Sequence, residues 1–152
     1  EKIAGLWPLF AEINRAADDI GRLNHTGTHP VATDLAILNA LEYHRLLGGD
    51  RKEARLRYLQ QYWTRQLRDV PGVVVNTPAT AQRACGIANV GVTQLPPSEL
   101  AQKLMKEHRI WTVAINRPGV RGCRITPNIY TTTRELDKFV AAVKQIAAET
   151  AD

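Results

Sequence analysis

The chain has 152 residues, enough for one domain with a real core, and its 44% hydrophobic content is typical of a globular protein rather than a disordered one. Its net charge of +5 is modest, and its densest basic stretch, residues 45–68, is explained by the solvated side of a helix, so we expect no nucleic-acid partner. No apolar run approaches the roughly 20 residues of a membrane span, and neither a signal peptide nor an initiator Met is present, so we expect a cytoplasmic protein of which this chain is a fragment.

The first half of the chain predicts a loop followed by two helices. Residues 21–30, G-R-L-N-H-T-G-T-H-P, have the composition of a loop. From Val31 to Leu47 the sequence is apolar over most of a helical circumference, which predicts a buried helix ended by two glycines. Asp50 and Glu53 predict a capping pair for the next helix. The apolar stripe of that helix has helical spacing and consists of Leu56, Leu59, Trp63, Leu67 and Val70.

The second half alternates short strands with helices. The predicted elements are strands at 73–75 and 87–92, a helix at 98–108 with Ser98 as its N-cap, strands at 110–115 and 121–126, and a last helix to about residue 148. Neighbouring strands have the character of hairpins, and the helices are apolar on one side. We therefore predict an α+β fold, a small and mostly antiparallel sheet with helices on one face.

An arginine in the last predicted strand needs an explanation. Because side chains alternate along a strand, Cys123 and Ile125 fall on one face, and Arg124 and Thr126 on the other. An Arg fixed between apolar neighbours is costly unless it meets an anion. That anion is either an internal Asp or Glu or the carboxylate of a ligand, which a guanidinium can bind with two parallel hydrogen bonds.

Other chemical motifs are weak or missing. Cys85 and Cys123 are best explained as two packed thiols, although a single disulfide stays open. His25 and His29 are four residues apart in a loop, with no Glu or Cys at a matching spacing, so we expect no metal site. A nucleophile elbow and a phosphate-binding loop are absent from the sequence. The residues alone therefore predict an anion-binding α+β domain.

Four stretches resemble one family. R-I-T-P-N-I-Y-T-T-x-x-E-L-D, from Arg124 to Asp137, resembles the C-terminal signature of class V aminotransferase-like enzymes, which are pyridoxal-phosphate proteins of fold type I. H-T-G-T-H-P, at 25–30, is similar to the family's glycine-threonine loop. W-P-L at 7–9 and R-K-x-A-R-L-R-Y-L at 51–59 most resemble the isopenicillin-N epimerase-like subgroup.

The resemblance implies a layout for the complete protein. Residues 1–26 would be the end of the large domain that binds pyridoxal 5'-phosphate, and residues 27–152 the C-terminal small domain with its linking helix. The cofactor lysine would lie before Glu1, so the fragment alone would be inactive and would hold no catalytic residue. The resemblance implies that the small domain packs against the missing large domain of the same protein. It also implies a homodimer that acts on a small amino acid as an epimerase, transaminase or lyase.

The resemblance also implies site residues. Arg124 corresponds to the arginine that binds the substrate carboxylate. Gly27 and Thr28 correspond to the loop that reaches a cofactor phosphate, and His29 is a further candidate next to them. Cysteine desulfurases of the family hold a catalytic Cys on a loop before the signature strand, but residues 106–122 contain none. Persulfide chemistry is therefore disfavoured. A desulfurase or selenocysteine lyase is kept as an alternative function, as is a non-catalytic α+β interaction module.

Overall fold

The computed structural model describes residues 3–8, 13–24, 27 and 30–151. The chain divides into two compact units, residues 1–44 and residues 45–152. That division concerns contacts within this chain. The boundary between residues 26 and 27, expected for the domains of a complete enzyme, stays a prediction.

The first unit contains short turns, a 3-10 helix at Ile20–Leu23 and most of helix α1, Val31–Leu47. The bounds of α1 are those that the sequence predicts, but the prediction that α1 is buried is wrong, because none of its residues is buried. A helix that is apolar on several sides needs partners on each of them. The other described residues of this unit form only turns and one short 3-10 helix, which offer too little apolar surface.

The second unit is a sheet covered by helices. Its elements are α2 (Gly49–Leu67), β1 (Val73–Val75), β2 (Ala88–Val92), α3 (Pro97–His108), β3 (Val113–Arg117), β4 (Val120–Ile125) and α4 (Thr133–Glu149). The strands lie in the order β1-β2-β4-β3, and every neighbouring pair is antiparallel. This confirms the predicted α+β fold. None of the described helices is long and apolar enough to cross a membrane.

One face of the sheet forms the core with α2, α3 and α4. The predicted stripe of α2 supplies Leu59, Trp63 and Leu67, all with no exposed surface. The ring of Trp63 meets Phe139 of α4 edge to face, with centroids 5.3 Å apart and planes at 86°. The strands contribute the core residues Val73, Ala88, Val90, Val92, Cys123 and Ile125.

Helix starts follow the predicted chemistry only in part. Thr132 and Glu135 form the predicted capping box, in which each side chain accepts from the other's backbone N–H. The backbone N–H and the hydroxyl of Thr132 both donate to the Glu135 carboxylate, and they lower the pKa of this carboxyl. By contrast, α2 is capped by Gly48 without any side-chain hydrogen bond, so the Asp50 capping pair is wrong. α3 begins at Pro97, one residue before the predicted start, because proline suits the first helical position.

The basic side of α2 is less solvated than the sequence suggests, because several of its arginines bind backbone carbonyls of loops. Arg55 donates to the carbonyls of Ile129 and Thr131, at 3.3 and 3.0 Å. Arg57 donates to the carbonyls of Ala81 and Ala84. Carbonyl groups at loop turns accept well from a guanidinium, so these side chains fasten loops to the helix.

Truncation of the aromatic core side chain should destabilise the fold. Phe139→Ala, at a residue 3% exposed, should lower the free energy of unfolding by about 3–5 kcal/mol. Trp111→Ala is the matched control, since Trp111 is 72% exposed and should stay within about 0.5 kcal/mol. Urea unfolding followed by far-ultraviolet circular dichroism measures both. Equal losses from the two variants would contradict this assignment of the core.

Candidate functional site

Arg124 lies in β4, on the face of the sheet opposite the helices. Its neighbours Cys123 and Ile125 are buried in the core, whereas Arg124 is exposed, as the alternation of the strand predicts. The register pairs Arg124 with Asn89 of β2 and with Val113 of β3. Directly opposed residues of an antiparallel pair share a face. Asn89 and Arg124 are therefore side-by-side neighbours on this open face.

No described carboxylate pairs with Arg124. Arg124 takes part in no ion pair with a described residue. Its side chain has no hydrogen bond to another described residue either. Of the two anions considered for Arg124, an internal Asp or Glu thus finds no support in the part of the chain that the structure describes.

Arg124 also lines a cavity of about 440 Å³ at the end of β4. The cavity is bounded by the residues after α3, by the end of β4 and by the first turns of α4. Apolar side chains of Ile125, Leu136 and Phe139 and the exposed ring of Trp111 contribute to its lining. His108 lines it too, and its Nε2 atom is buried without a partner among the described residues. Its lining combines apolar side chains with three cationic side chains and the carboxylate of Glu135, and the excess of positive charge suits an organic carboxylate.

A pair of asparagines next to Arg124 escaped sequence analysis. The side-chain nitrogen of Asn76 donates to the side-chain oxygen of Asn89, at 2.6 Å, and to the backbone carbonyl of Arg121, at 2.9 Å. The backbone N–H of Asn89 donates to the hydroxyl of Thr77. Only the strand register brings these residues together, since Asn76 and Arg121 are 45 positions apart. The one sequence feature that pointed to this pair is the polar Asn89 within the otherwise apolar strand A-N-V-G-V, and it does not reveal the partners.

Two glycines next to this pair of asparagines allow β2 and β4 to approach closely. A Cβ on Gly122 would lie 2.3 Å from the carbonyl oxygen of Val90 and 2.6 Å from the side-chain oxygen of Asn89. A Cβ on Gly91 would lie 2.5 Å from the carbonyl oxygen of Arg121. Real Cβ contacts are not this short, so both positions require glycine. The close approach of β2 and β4 therefore depends on sequence at these two points.

The two cysteines have different surroundings. Cys123 has no exposed surface, and burial raises the pKa of its thiol, an effect that the hydroxyl of Thr112 offsets only in part. This confirms that it faces the core. Cys85 is exposed, so its prediction as a packed thiol is wrong; it lies between a 3-10 turn and β2. Both are free thiols, and the open possibility of a disulfide is not realised.

The predicted cofactor loop is described only at Gly27. This residue is exposed and has φ +86°, a left-handed conformation that favours glycine. Thr28 and His29 lie outside the described residues, as does His25. Gly27 belongs to the first compact unit and Arg124 to the second. The described residues contain no group of three His, Cys, Asp or Glu side chains that could hold a metal ion.

The fold and the signature strand together match a known class of proteins. The family model of aminotransferase class-V matches residues 11–139. That match covers most of the chain, including the sheet, Arg124 and the start of α4. The chain belongs to the aminotransferase class-V family.

Individual proteins resemble this chain in sequence or in fold. The isopenicillin N epimerase of Streptomyces clavuligerus is 30% identical over 132 residues, which are 84% of this chain and 32% of the epimerase. The cysteine desulfurase from Thermococcus onnurineus NA1, in its apo structure, has a TM-score of 0.70 at 18% identity, over 82% of this chain and 33% of the desulfurase.

A C-DES mutant with glycine covalently linked to its PLP cofactor has a TM-score of 0.66 at 22% identity, over 82% of this chain and 31% of C-DES. At these identities the structural matches show a shared fold. The chain spans about a third of the length of each of these three proteins.

The two thiols should differ strongly in reactivity. We expect iodoacetamide to alkylate Cys85 in the native chain and to leave Cys123 unmodified until the chain unfolds, because only the exposed thiol is accessible and burial disfavours the Cys123 thiolate. Peptide mapping by mass spectrometry, with and without guanidinium chloride, measures the modified fraction of each. Equal native rates at the two positions would show that Cys123 is not held in the core.

Proposed function

We propose that this chain is the C-terminal part of a pyridoxal-phosphate enzyme that acts on an amino acid, and that Arg124 binds the carboxylate of the substrate. The observation that carries the proposal is an exposed arginine, fixed by the strand on the open face, with no anion partner among the described residues. Membership of the class-V family supplies the cofactor chemistry. A planar guanidinium matches a carboxylate in shape and charge.

The role of Arg124 is orientation. Two parallel hydrogen bonds to a carboxylate fix both the position and the rotation of the group. In an amino acid this sets the direction of the bonds at Cα, so that the bond to be broken can be aligned for reaction. The chemistry that pyridoxal phosphate supplies when bound is stabilisation of negative charge at Cα. The complete protein would contribute the cofactor lysine and a homodimer partner.

Of the predicted cofactor loop, the structure describes only Gly27, and its backbone supports the proposal of a phosphate contact. Gly27 has the left-handed backbone that suits a loop presenting N–H groups to an anion, and it is exposed. With Thr28 and His29 as neighbours in sequence, this loop is the candidate phosphate contact. Its function stays a proposal for the complete protein, in which residues 27–152 would form the small domain.

Within the family we favour an epimerase, transaminase or lyase over a cysteine desulfurase. Persulfide formation needs a thiolate that can reach the substrate. Cys123 is buried on the face opposite Arg124, and its pKa is raised by burial. The β3–β4 turn, between Arg117 and Val120, is too short to carry a cysteine into a site. The desulfurase alternative therefore lacks a nucleophile in the signature region of this chain.

Replacement of Arg124 tests the proposal in the complete protein. Arg124→Ala should raise KM for the preferred amino acid by about 30-fold or more, since loss of a charged hydrogen-bonding partner costs about 2–5 kcal/mol and 1.4 kcal/mol corresponds to a tenfold change. The visible absorbance of the cofactor should not change. Steady-state kinetics on a panel of the protein amino acids, and the absorbance spectrum, provide the measurements.

Arg121→Ala is the matched control for Arg124→Ala. Arg121 is an exposed arginine in the same strand, and its described hydrogen bond uses the backbone carbonyl, which alanine keeps. We expect KM of this variant within about twofold of the wild type. Unchanged kinetics of Arg124→Ala would overturn the proposed role of Arg124, whereas a complete protein without turnover of any amino acid would favour the non-catalytic interaction module.

A further inference from the structure

The open face of the sheet holds a side-chain donor without an acceptor. The side-chain nitrogen of Asn89 is buried and has no hydrogen-bond partner among the described residues. Asn89 as a whole is 8% exposed. A buried N–H group without a partner destabilises the folded chain, so native proteins rarely retain one without a reason.

The orientation of this amide is fixed by its neighbours. A backbone carbonyl can only accept, so the side-chain nitrogen of Asn76 must face the carbonyl of Arg121, 2.9 Å away. That same nitrogen lies 2.6 Å from the side-chain atom of Asn89, which must then be the oxygen. Exchanging O and N of Asn89 would set two donors against each other. The nitrogen of Asn89 therefore lies on the side of the amide turned away from Asn76.

The strand register places this amide beside Arg124. Asn89 and Arg124 are directly paired across β2 and β4 and project from the same face. The side-chain oxygen of Asn89 lies over Gly122, where a Cβ would come within 2.6 Å of it. Glycine at position 122 thus leaves the space that the Asn89 amide occupies. The neutral amide of Asn89 and the cationic guanidinium of Arg124 are therefore neighbouring donors on a face where two glycines carry no side chain.

We propose that the side-chain amide of Asn89 is the second donor to the carboxylate that Arg124 binds. This inference rests on the proposed function. A carboxylate has about four acceptor positions on its two oxygens, and a guanidinium that binds it edge-on leaves some of them open. The amide of Asn89 fills one of these positions and so obtains the acceptor that it lacks.

The pair makes the site selective for a carboxylate in one orientation. The guanidinium attracts any anion. The amide is a fixed, uncharged donor, which forms a hydrogen bond only with an oxygen atom at one position. Hydrogen bonds to charged groups are among the stronger ones in proteins. Loss of the amide should therefore reduce the preference for ligands that carry a carboxylate, and it should leave reactions that do not involve a carboxylate unchanged.

Two carbonyl reagents separate these effects in the complete protein with its cofactor bound. Aminooxyacetate carries a carboxylate and O-methylhydroxylamine does not, and both react with pyridoxal phosphate. The rate at which each bleaches the visible absorbance of the cofactor is measured, and their ratio gives the carboxylate preference without any need for the natural substrate.

Asn89→Asp keeps the oxygen that Asn76 needs and replaces the donor with an acceptor. We expect this variant to lower the aminooxyacetate preference by about 10- to 100-fold, the range of a hydrogen bond to a charged group, with the O-methylhydroxylamine rate within about twofold. Asn89→Ala removes the donor without adding charge and should lower the preference about tenfold. It also serves if the aspartate variant does not fold.

The outcomes distinguish this inference from the proposed function. If Arg124→Ala abolishes the carboxylate preference while both Asn89 variants keep it, the role of Asn89 is refuted and the proposed function stands. If Arg124→Ala keeps the preference, the proposed function itself fails. If the Asn89 variants slow both reagents equally, Asn89 is structural and the inference is overturned.

Discussion

The alternation of side chains along β4 is the constraint on which the candidate site depends. One strand sends Cys123 and Ile125 into the core and Arg124 to the open face. The arginine is free of the core because its neighbours are anchored in it. A shift of one residue in register would bury the guanidinium and expose the thiol. The energy that buries the apolar face therefore also holds the arginine on the surface.

The register in turn depends on close contact between β2 and β4. Glycine at positions 91 and 122 lets backbone carbonyls of the two strands approach where any side chain would collide. Next to them the amides of Asn76 and Asn89 join β1, β2 and β4 by hydrogen bonds. These interactions tie the open face together without apolar side chains. A surface built in this way can hold polar groups in fixed orientations, which is what recognition of a small anion requires.

Local patterns predicted most of the second unit. The stripe of α2, the capping box of Thr132 and Glu135, the order of elements and the direction of Arg124 all follow from short-range periodicity and hydrogen bonding. The N-caps of α2 and α3 are Gly48 and Pro96, two residues before the predicted caps Asp50 and Ser98, because glycine and proline decided them rather than polar side chains. β3 begins at Val113, later than predicted from Ile110, since the apolar run includes residues that precede the strand.

Long-range features could not be predicted in this way. The exposure of α1 depends on which surfaces surround it, and its own sequence contains no record of them. The Asn89 amide becomes a candidate ligand-binding group only because strand pairing places it beside Arg124, 35 positions later. Gly27 could be recognised from the family motif, but Arg55 could not be recognised as a clamp, because its acceptors belong to residues 74 and 76 positions away.

The hydrogen bonds of Arg55 link the segment after β4, next to the candidate site, to helix α2. The segment between β4 and α4 carries the middle of the family signature, and its carbonyls at Ile129 and Thr131 accept from Arg55 of α2. The capping box then fixes the start of α4 directly after it. The strand that holds Arg124 is thus fixed by the glycine contacts, and the segment that follows it is held by an arginine of α2. An arginine that must orient a substrate needs such a rigid base, because a displacement of about 1 Å can cost a hundredfold in rate.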